Sequence, residues 1–218
     1  MELRLWQAIQ AGKIDAVKDL LKSRRDLDVN WRNDAEKDQT VFQLAASLGS
    51  DQVVKLLLSH PEISVNQRSR VGETAIWLAC VKGATTIVPM LLRDSRVDVN
   101  QNSNSGMTPL AEAAAGGFLA IVKWFIASGR EFALTDNNDN MMESPSYLTT
   151  DVLGAARMNR RTDVVTLLER FYKDPNQTRI ELRIELGITG TYVVSCNGRI
   201  PPHHGFTSAR EGTLPTSS

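Results

Sequence analysis

Apolar residues recur along the first 172 positions with helical spacing, in short clusters that follow one another at a nearly constant interval. Val53, Val54 and Leu57 form one such cluster, and their spacing of three or four residues predicts a short amphipathic helix. A glycine precedes each of the first four clusters. These glycines are Gly12, Gly49, Gly83 and Gly117, which stand 37, 34 and 34 residues apart. A period of this size indicates a stack of similar supersecondary units.

Two further markers keep the same register as the glycines. Thr40, Thr74 and Thr108 each stand nine residues before a glycine, and the segment between them predicts a first helix in each unit. Small residues occupy the position four before the glycine or its counterpart, where adjacent first helices approach closely and a larger side chain would overpack. They are Ala8, Ala45, Ala79, Ala113 and Ala156. We expect the glycine to end the first helix in a left-handed conformation.

The segments that begin at the threonines resemble a known family signature. They are Thr40-Val-Phe-Gln-Leu-Ala-Ala, Thr74-Ala-Ile-Trp-Leu-Ala-Cys and Thr108-Pro-Leu-Ala-Glu-Ala-Ala. Each resembles the Thr-Pro-Leu-His signature of ankyrin repeats, and the third also keeps its proline. The resemblance covers residues 3 to about 172. It implies an all-α ankyrin-repeat solenoid of about five helix-turn-helix units joined by hairpin fingers, in which neighbouring units cover each other's apolar faces.

The ends of the stack depart from the pattern. The first unit has no hairpin and starts directly as a helix, whereas the fifth has Asp151 in place of threonine and Arg160 in place of glycine. Terminal repeats need a polar outer face because no neighbour covers them. We therefore interpret residues 1–172 as one repeat domain with an atypical unit at each end.

The sequence after the repeats divides into two parts. Asp174-Pro175 precedes a segment that ends at Gly187, which predicts a C-terminal capping helix over residues 173–187 that covers the last repeat. The block from Glu169 to Gly187 also weakly resembles the closing segment of ankyrin proteins from fungi and protists. Residues 188–218 contain one apolar cluster, Tyr192-Val-Val, and we expect them to form a flexible tail.

Irregularities in the repeats point to unusual local surfaces. The finger before Thr40 is two residues longer than the later fingers, and the insert at 136–150 stretches the step into the fifth unit. Extra loop length in a solenoid maps to one face, often the binding face. Pro89 lies inside a predicted second helix, which we expect it to shorten or kink.

Composition narrows the function classes. Of the 218 residues, 42% are hydrophobic, which is enough for a buried core. The 25 Lys and Arg residues balance the 25 Asp and Glu residues, so the net charge favours binding to neither nucleic acid nor membrane. No secretory pattern opens the chain and no apolar run reaches the roughly 20 residues of a membrane span. Cys80 and Cys196 fit a reducing compartment. We expect a cytoplasmic monomer, with the nucleus as the alternative compartment.

Catalytic motifs are missing from the sequence. Neither a Gly-x-Gly-x-x-Gly fingerprint nor a phosphate-binding P-loop occurs, so no cofactor is predicted and the chain is not predicted to be an enzyme. The histidines are His60, His203 and His204. The alternative function is an enzyme or metal-dependent module completed by the tail around Cys196, His203 and His204.

The resemblance implies a binding surface for another protein, as in an adaptor, scaffold or inhibitor. In ankyrin repeats it is the concave face, formed by the fingers and the exposed side of the first helices. The positions carried over are Trp31, Gln39, Leu48, Arg70, Val71, Glu73, Lys82, Asn104, Met107 and Met158. Ordinary solvent exposure is the alternative for each residue, and Trp31 is equally explained by local packing. Trp6, Trp77 and Trp124 are expected to pack in or beside the core.

Overall fold

The computed structural model describes residues 1–23, 27–132, 134 and 151–188. These ranges contain eleven α-helices and one two-stranded sheet. The elements are α1 (Glu2–Gln10), α2 (Ile14–Ser23), β1 (Arg32–Asn33), β2 (Gln39–Thr40), α3 (Val41–Ser47), α4 (Asp51–Leu58), α5 (Ala75–Val81), α6 (Ile87–Arg93), α7 (Pro109–Gly116), α8 (Leu119–Ser128), α9 (Val152–Met158), α10 (Thr162–Lys173) and α11 (Pro175–Glu185). The insert at 136–150 and the tail from 189 lie outside the described residues.

The ten helices α1 to α10 form five antiparallel pairs stacked in two layers. The first helices, α1, α3, α5, α7 and α9, contact one another in sequence order, and so do the second helices, α2, α4, α6, α8 and α10. One continuous apolar core runs between the layers from Leu5 in α1 to Leu182 in α11. The predicted all-α solenoid of five units is therefore confirmed.

The repeated threonines begin first helices because each one is an N-cap. The hydroxyls of Thr40, Thr74 and Thr108 accept hydrogen bonds from the backbone N–H three residues on, at 3.3, 3.3 and 3.1 Å. Asp151 takes the same role in the fifth unit, where its carboxylate accepts from the N–H of Gly154 at 3.1 Å. A cap satisfies one of the backbone donors that the first turn leaves unpaired.

The glycine markers end the first helices in the left-handed region, as predicted. Their φ angles are 66° at Gly12, 70° at Gly49, 66° at Gly83 and 77° at Gly117. Arg160, the counterpart in the fifth unit, adopts the same region with a φ of 55°. The backbone turn is therefore a property of the repeat, and the last unit keeps it without a glycine.

Asparagine side chains join neighbouring units in the loops that follow α2 and α4. Asn30 donates from Nδ2 to the carbonyl of Glu62 at 2.7 Å and accepts at Oδ1 from the N–H of Ser64 at 2.8 Å. Asn66 makes the same two bonds to the next unit at 2.7 and 2.8 Å. Each amide thus satisfies one carbonyl and one N–H of the following repeat. Asn30 follows Val29 and Asn66 follows Val65, so the same Val-Asn pair closes both units.

Pro89 shortens α6 without interrupting it. This helix begins at Ile87, four residues after Gly83, whereas α4 and α8 begin two residues after their glycines. Pro89 consequently falls in the first turn, where a backbone N–H has no intrahelical acceptor. The expected shortening occurs at the start of the helix, and the structure requires no kink.

The capping helix α11 packs on the second-helix layer. Asp174 caps it by accepting from the N–H of Gln177 at 3.0 Å, and its own Leu182 is fully buried. The helix contacts α10 and, in the fourth unit, α8. Arg179 and Arg183 donate to the last carbonyls of α8 at 3.1 and 3.0 Å. The helix expected to cover the last repeat does contact it, and it also extends along the fourth unit.

The close contact between first helices gives a stability prediction. Ala113 has no exposed surface and lies in α7, which packs between α5 and α9. Replacing Ala113 with Leu should lower the free energy of unfolding by about 1–3 kcal/mol, because the extra methylenes have no space to fill. Denaturant titration measures the change. The exposed Ala120 in α8 provides the control: Ala120→Leu should stay within about 0.5 kcal/mol of the parent. Equal effects of the two substitutions would show that the first helices are not tightly packed.

Candidate protein-interaction surface

Backbone hydrogen bonds join three fingers into a continuous ribbon along one edge of the stack. We call residues 31–40, 67–74 and 101–108 the finger ribbon. Arg70 donates from its backbone N–H to the carbonyl of Lys37 at 2.7 Å, and Asn104 donates in the same way to Val71 at 3.0 Å. Each finger is thereby bonded to the next at its tip. The exposed groups of the ribbon are consequently held at fixed relative positions.

The first finger is a small hairpin with a structured tip. Strand β1 pairs antiparallel with β2, with Arg32 opposite Thr40. A 3₁₀ turn at Asp34–Glu36 forms the tip, and Asn33 caps it by accepting from the N–H of Ala35 at 3.2 Å. The extra length that the sequence shows in this finger is thus used to build an ordered turn.

Asp38 in the first finger holds Arg70 of the second. Both contacts of the guanidinium with the carboxylate, from Nε and Nη2, measure 3.0 Å. The hydrogen bonds and the negative charge of Asp38 raise the pKa of Arg70 above its ordinary value. Since the pair is solvent-exposed, its main effect is to orient the arginine.

Gly72 allows the third finger to approach the second. Its φ is 80°, and a Cβ at this position would lie 2.4 Å from Oδ1 of Asn104. The amide of Asn104 in turn donates to the carbonyl of Arg70 at 3.1 Å and accepts from Arg68 at 3.2 Å. A side chain at position 72 would therefore disrupt the contact between the two fingers.

Side chains from the first helices support the ribbon from below. Gln43 in α3 donates to the carbonyls of Gln67 and Glu73 at 2.9 and 2.6 Å. Trp77, at the equivalent position of α5, donates from Nε1 to the carbonyl of Met107 at 3.1 Å. Both residues stand at the histidine position of the four-residue signature. The half-buried packing expected of Trp77 is thus accompanied by a hydrogen bond to the next finger.

The predicted contact residues divide into two groups by exposure. Six are exposed: Leu48, Arg70, Val71, Lys82, Asn104 and Met158. Four are half-buried: Trp31, Gln39, Glu73 and Met107. Trp31 and Met107 pack against the core, so only part of each side chain faces solvent. The amide of Gln39 lies 3.4 Å from the carboxylate of Glu73 and links the first two fingers.

The exposed residues of this set occupy two parts of the surface. Arg70, Val71 and Asn104 lie together at the joined finger tips. Leu48 and Lys82 occupy equivalent C-cap positions at the ends of α3 and α5. Met158 is the last residue of α9 in the fifth unit, and 58% of its surface is exposed.

A model of ankyrin repeats in three copies matches residues 5–103 and 61–136, which together span more than half of the sequence. The chain belongs to the ankyrin-repeat family. A comparison with curated proteins finds no match to the chain. The ankyrin markers and the structure agree on the register of the units, since the capped threonines and the left-handed glycines are the residues that define the repeat.

Glu112 is an unusual residue of this ankyrin stack that the sequence analysis did not single out. It occupies the position in α7 that Leu44 and Leu78 fill in the two preceding repeats, and it is half-buried. Burial raises the pKa of its carboxyl group, and the group forms no hydrogen bond or ion pair with the residues that the structure describes. The sequence did contain a signal for this residue, namely a carboxylate at a position where the preceding repeats have leucine.

Other chemistry is limited in the described ranges. There, His, Cys, Asp and Glu side chains form no group of three that could hold a metal ion. Each described helix is too short or too polar to span a lipid bilayer. The thiol of Cys80 is buried, and its pKa is raised mainly by this burial and to a smaller extent by the charge of Glu112. Cys196, His203 and His204, around which the alternative enzyme or metal-dependent function was considered, lie outside the described residues.

The position of Glu112 predicts a pH-dependent effect on stability. Its folded-state pKa lies above the unfolded value of 4.5, so the ionised Glu112 costs stability, and this cost should diminish as pH falls through the folded-state pKa. Replacing Glu112 with Gln removes the half-buried charge. The variant should melt at a higher temperature than the parent at about pH 7, and the difference should shrink at about pH 4.

Thermal unfolding followed by circular dichroism at both pH values measures this difference. Cys80 remains a neutral thiol over this range because its own pKa is raised. The exposed Glu62 supplies the control, since Glu62→Gln removes one carboxylate without relieving a burial cost. A melting temperature of Glu112→Gln that is lower than the parent's at pH 7 would mean that the carboxylate stabilises the fold.

Proposed function

We propose that this ankyrin protein is a non-enzymatic adaptor, scaffold or inhibitor that binds a partner protein through the finger ribbon and the exposed side of the first helices. Ankyrin repeats are in general protein-protein interaction modules. The observation that carries the proposal is the hydrogen-bonded joining of successive fingers, at Arg70 with Lys37 and at Asn104 with Val71. A surface ordered before binding loses little conformational entropy when the partner docks.

The chemistry of the exposed groups fits a protein partner. Leu48 and Val71 offer apolar surface, with 48% and 37% of their areas exposed. Lys82, at the position of the next unit that is equivalent to Leu48, and Arg70 and Asn104 at the finger tips add charge and hydrogen-bonding groups. Protein interfaces combine an apolar centre with a polar rim, and arginine is enriched in them. The partly exposed faces of Trp31 and Met107 extend the same surface.

Nucleic acid is a less suitable ligand for this surface. Asp38 neutralises Arg70, and Glu73 lies beside Gln39 in the same ribbon. Affinity for nucleic acid depends on several unopposed cations along a phosphate chain. The proposed partner is therefore another protein. We further propose that the chain acts as a monomer in the cytoplasm.

Charge substitutions on the ribbon test the proposal. A tagged form of the full chain first captures candidate partners from its native extract, and each candidate is then purified and its affinity measured by calorimetry. The double variant Leu48→Glu, Val71→Glu should weaken binding by about tenfold or more, because both apolar contacts become desolvated charges. Its melting temperature should stay near that of the parent, since both side chains are exposed.

Ile184→Glu is the matched control on the opposite side of the molecule. Ile184 lies on α11, which packs on the second-helix layer, and 76% of its surface is exposed. The control should bind the partner like the parent protein. If it loses binding while the ribbon variant retains it, the second-helix side is the functional surface.

A further inference from the structure

The exposed end of the fifth repeat carries a charged residue, Arg157, at a position that is apolar in the preceding repeats. Arg157 stands where the other units have fully or almost fully buried residues, and 58% of its side-chain surface is exposed. Those counterparts are Ile9, Ala46, Cys80 and Ala114. Val165 is half-buried, whereas its counterparts Val17, Val54, Val88 and Val122 are fully buried. This is the face that a following repeat would cover.

A hollow opens on this face between the end of α9 and the start of α10. Its volume is about 530 Å³. We call it the end hollow, and its lining residues are Arg157, Arg160, Arg161, Thr162, Val165 and Thr166. Three arginines, two threonines and one valine therefore border it, most of the surface that they expose to it is apolar, and it is large enough for a side chain of a second molecule.

The cations of the end hollow are incompletely neutralised. Arg157 pairs with Glu169 at 2.7 Å, and this pair is more than half exposed on both sides. Arg161 uses its Nε to donate to the carbonyl of Ala115 at 3.0 Å. The guanidinium of Arg160 forms no hydrogen bond or ion pair with described residues. Two carboxylates of α10, Glu169 and the first-turn Asp163, thus stand against three arginines.

The backbone at Arg160 argues for a role of this side chain. Its φ of 55° lies in the region that the other four units reach with glycine, and an arginine adopts this region at an energetic cost. A terminal repeat needs a polar outer face, but asparagine would supply polarity there at a lower backbone cost. Polarity alone therefore does not account for an arginine at this position.

The start of α10 adds a second source of positive potential. This helix has twelve residues, and its N-cap residue, Arg161, provides no side-chain acceptor for the first turn. Asp163 lies in this first turn, and its carboxylate accepts from the N–H of Val164 at 2.9 Å. The remaining first-turn N–H groups still favour an anion, although Asp163 offsets part of the helix dipole. The helix terminus reinforces the three arginines, which supply most of the charge.

We propose that the end hollow binds an anionic oxygen group, a phosphate ester or a carboxylate, carried by an extended segment of a partner protein. Arginine suits this ligand because its planar donors can contact two oxygens at once. A peptide fits better than nucleic acid because the lining is confined to one unit and balanced charges cover the rest of the chain. The end hollow lies apart from the finger ribbon, and its own test follows residues 157–166 with short peptides, so its failure can be distinguished from a failure of binding at the ribbon.

Titration of the full chain with short peptides tests the site. The probes are a glycine-serine peptide with one phosphoserine, the same peptide with glutamate at that place, and the unmodified peptide. Backbone amide chemical shifts of residues 157–166 should move with the phosphoserine peptide, move less with the glutamate peptide and stay unchanged with the unmodified one. Equal responses to the two charged peptides would assign the site to carboxylates. An oligonucleotide of equal charge that binds as tightly would overturn a peptide site.

Two variants and a control make the test specific. Arg160→Gly restores the residue of the other repeats, so it should keep or raise the melting temperature while lowering affinity for the phosphoserine peptide about tenfold. Glu169→Gln should tighten binding because it frees Arg157. Arg4→Gln removes an exposed cation of α1, far along the chain, and should leave affinity unchanged. Unaltered affinity of Arg160→Gly, or an equal loss in Arg4→Gln, would overturn the proposal.

Discussion

The close approach of neighbouring first helices is the contact on which the rest of this ankyrin stack depends. Ala45, Ala79, Ala113 and Ala156 are fully buried at one repeated position, and larger side chains there would force the units apart. The tight spacing brings the fingers within hydrogen-bonding reach of one another. It also lets Gln43 and Trp77 support the finger of the next unit. The proposed binding surface is therefore a consequence of packing beneath it.

Much of the fold could be predicted from the sequence because its markers act locally. A threonine caps the helix that follows it, and a glycine such as Gly49 permits the left-handed turn that ends it. These roles involve residues within one turn of helix, so they recur with the period of the repeat. For the same reason the fifth unit could be identified as a closing repeat although Asp151 and Arg160 replace both markers.

The details that the sequence did not predict depend on partners about thirty or more positions away. Asp38 orients Arg70, and α11 packs along two units. Neither contact recurs from repeat to repeat, so the sequence pattern does not indicate it. Glu112 was missed because it occupies a regular position of the repeat, and only its carboxylate distinguishes it from the leucines at the equivalent positions of the two preceding repeats. The outline of the interaction surface could thus be transferred from the family. The exposed fractions of Trp31 and Met107 could not, because they depend on how these side chains pack against the core.

The asparagine bonds between units have a consequence for how the chain reaches its folded state. Asn30 and Asn66 reach only the repeat that comes next, so their bonds close segments of about 30 to 34 residues. Contacts of such modest sequence separation lower the entropic cost of the folding transition state. Folding can accordingly begin in any adjoining pair of units and spread outward in both directions. The order of events is then set by which pair is most stable locally, and it can be shifted by mutation without altering the final structure.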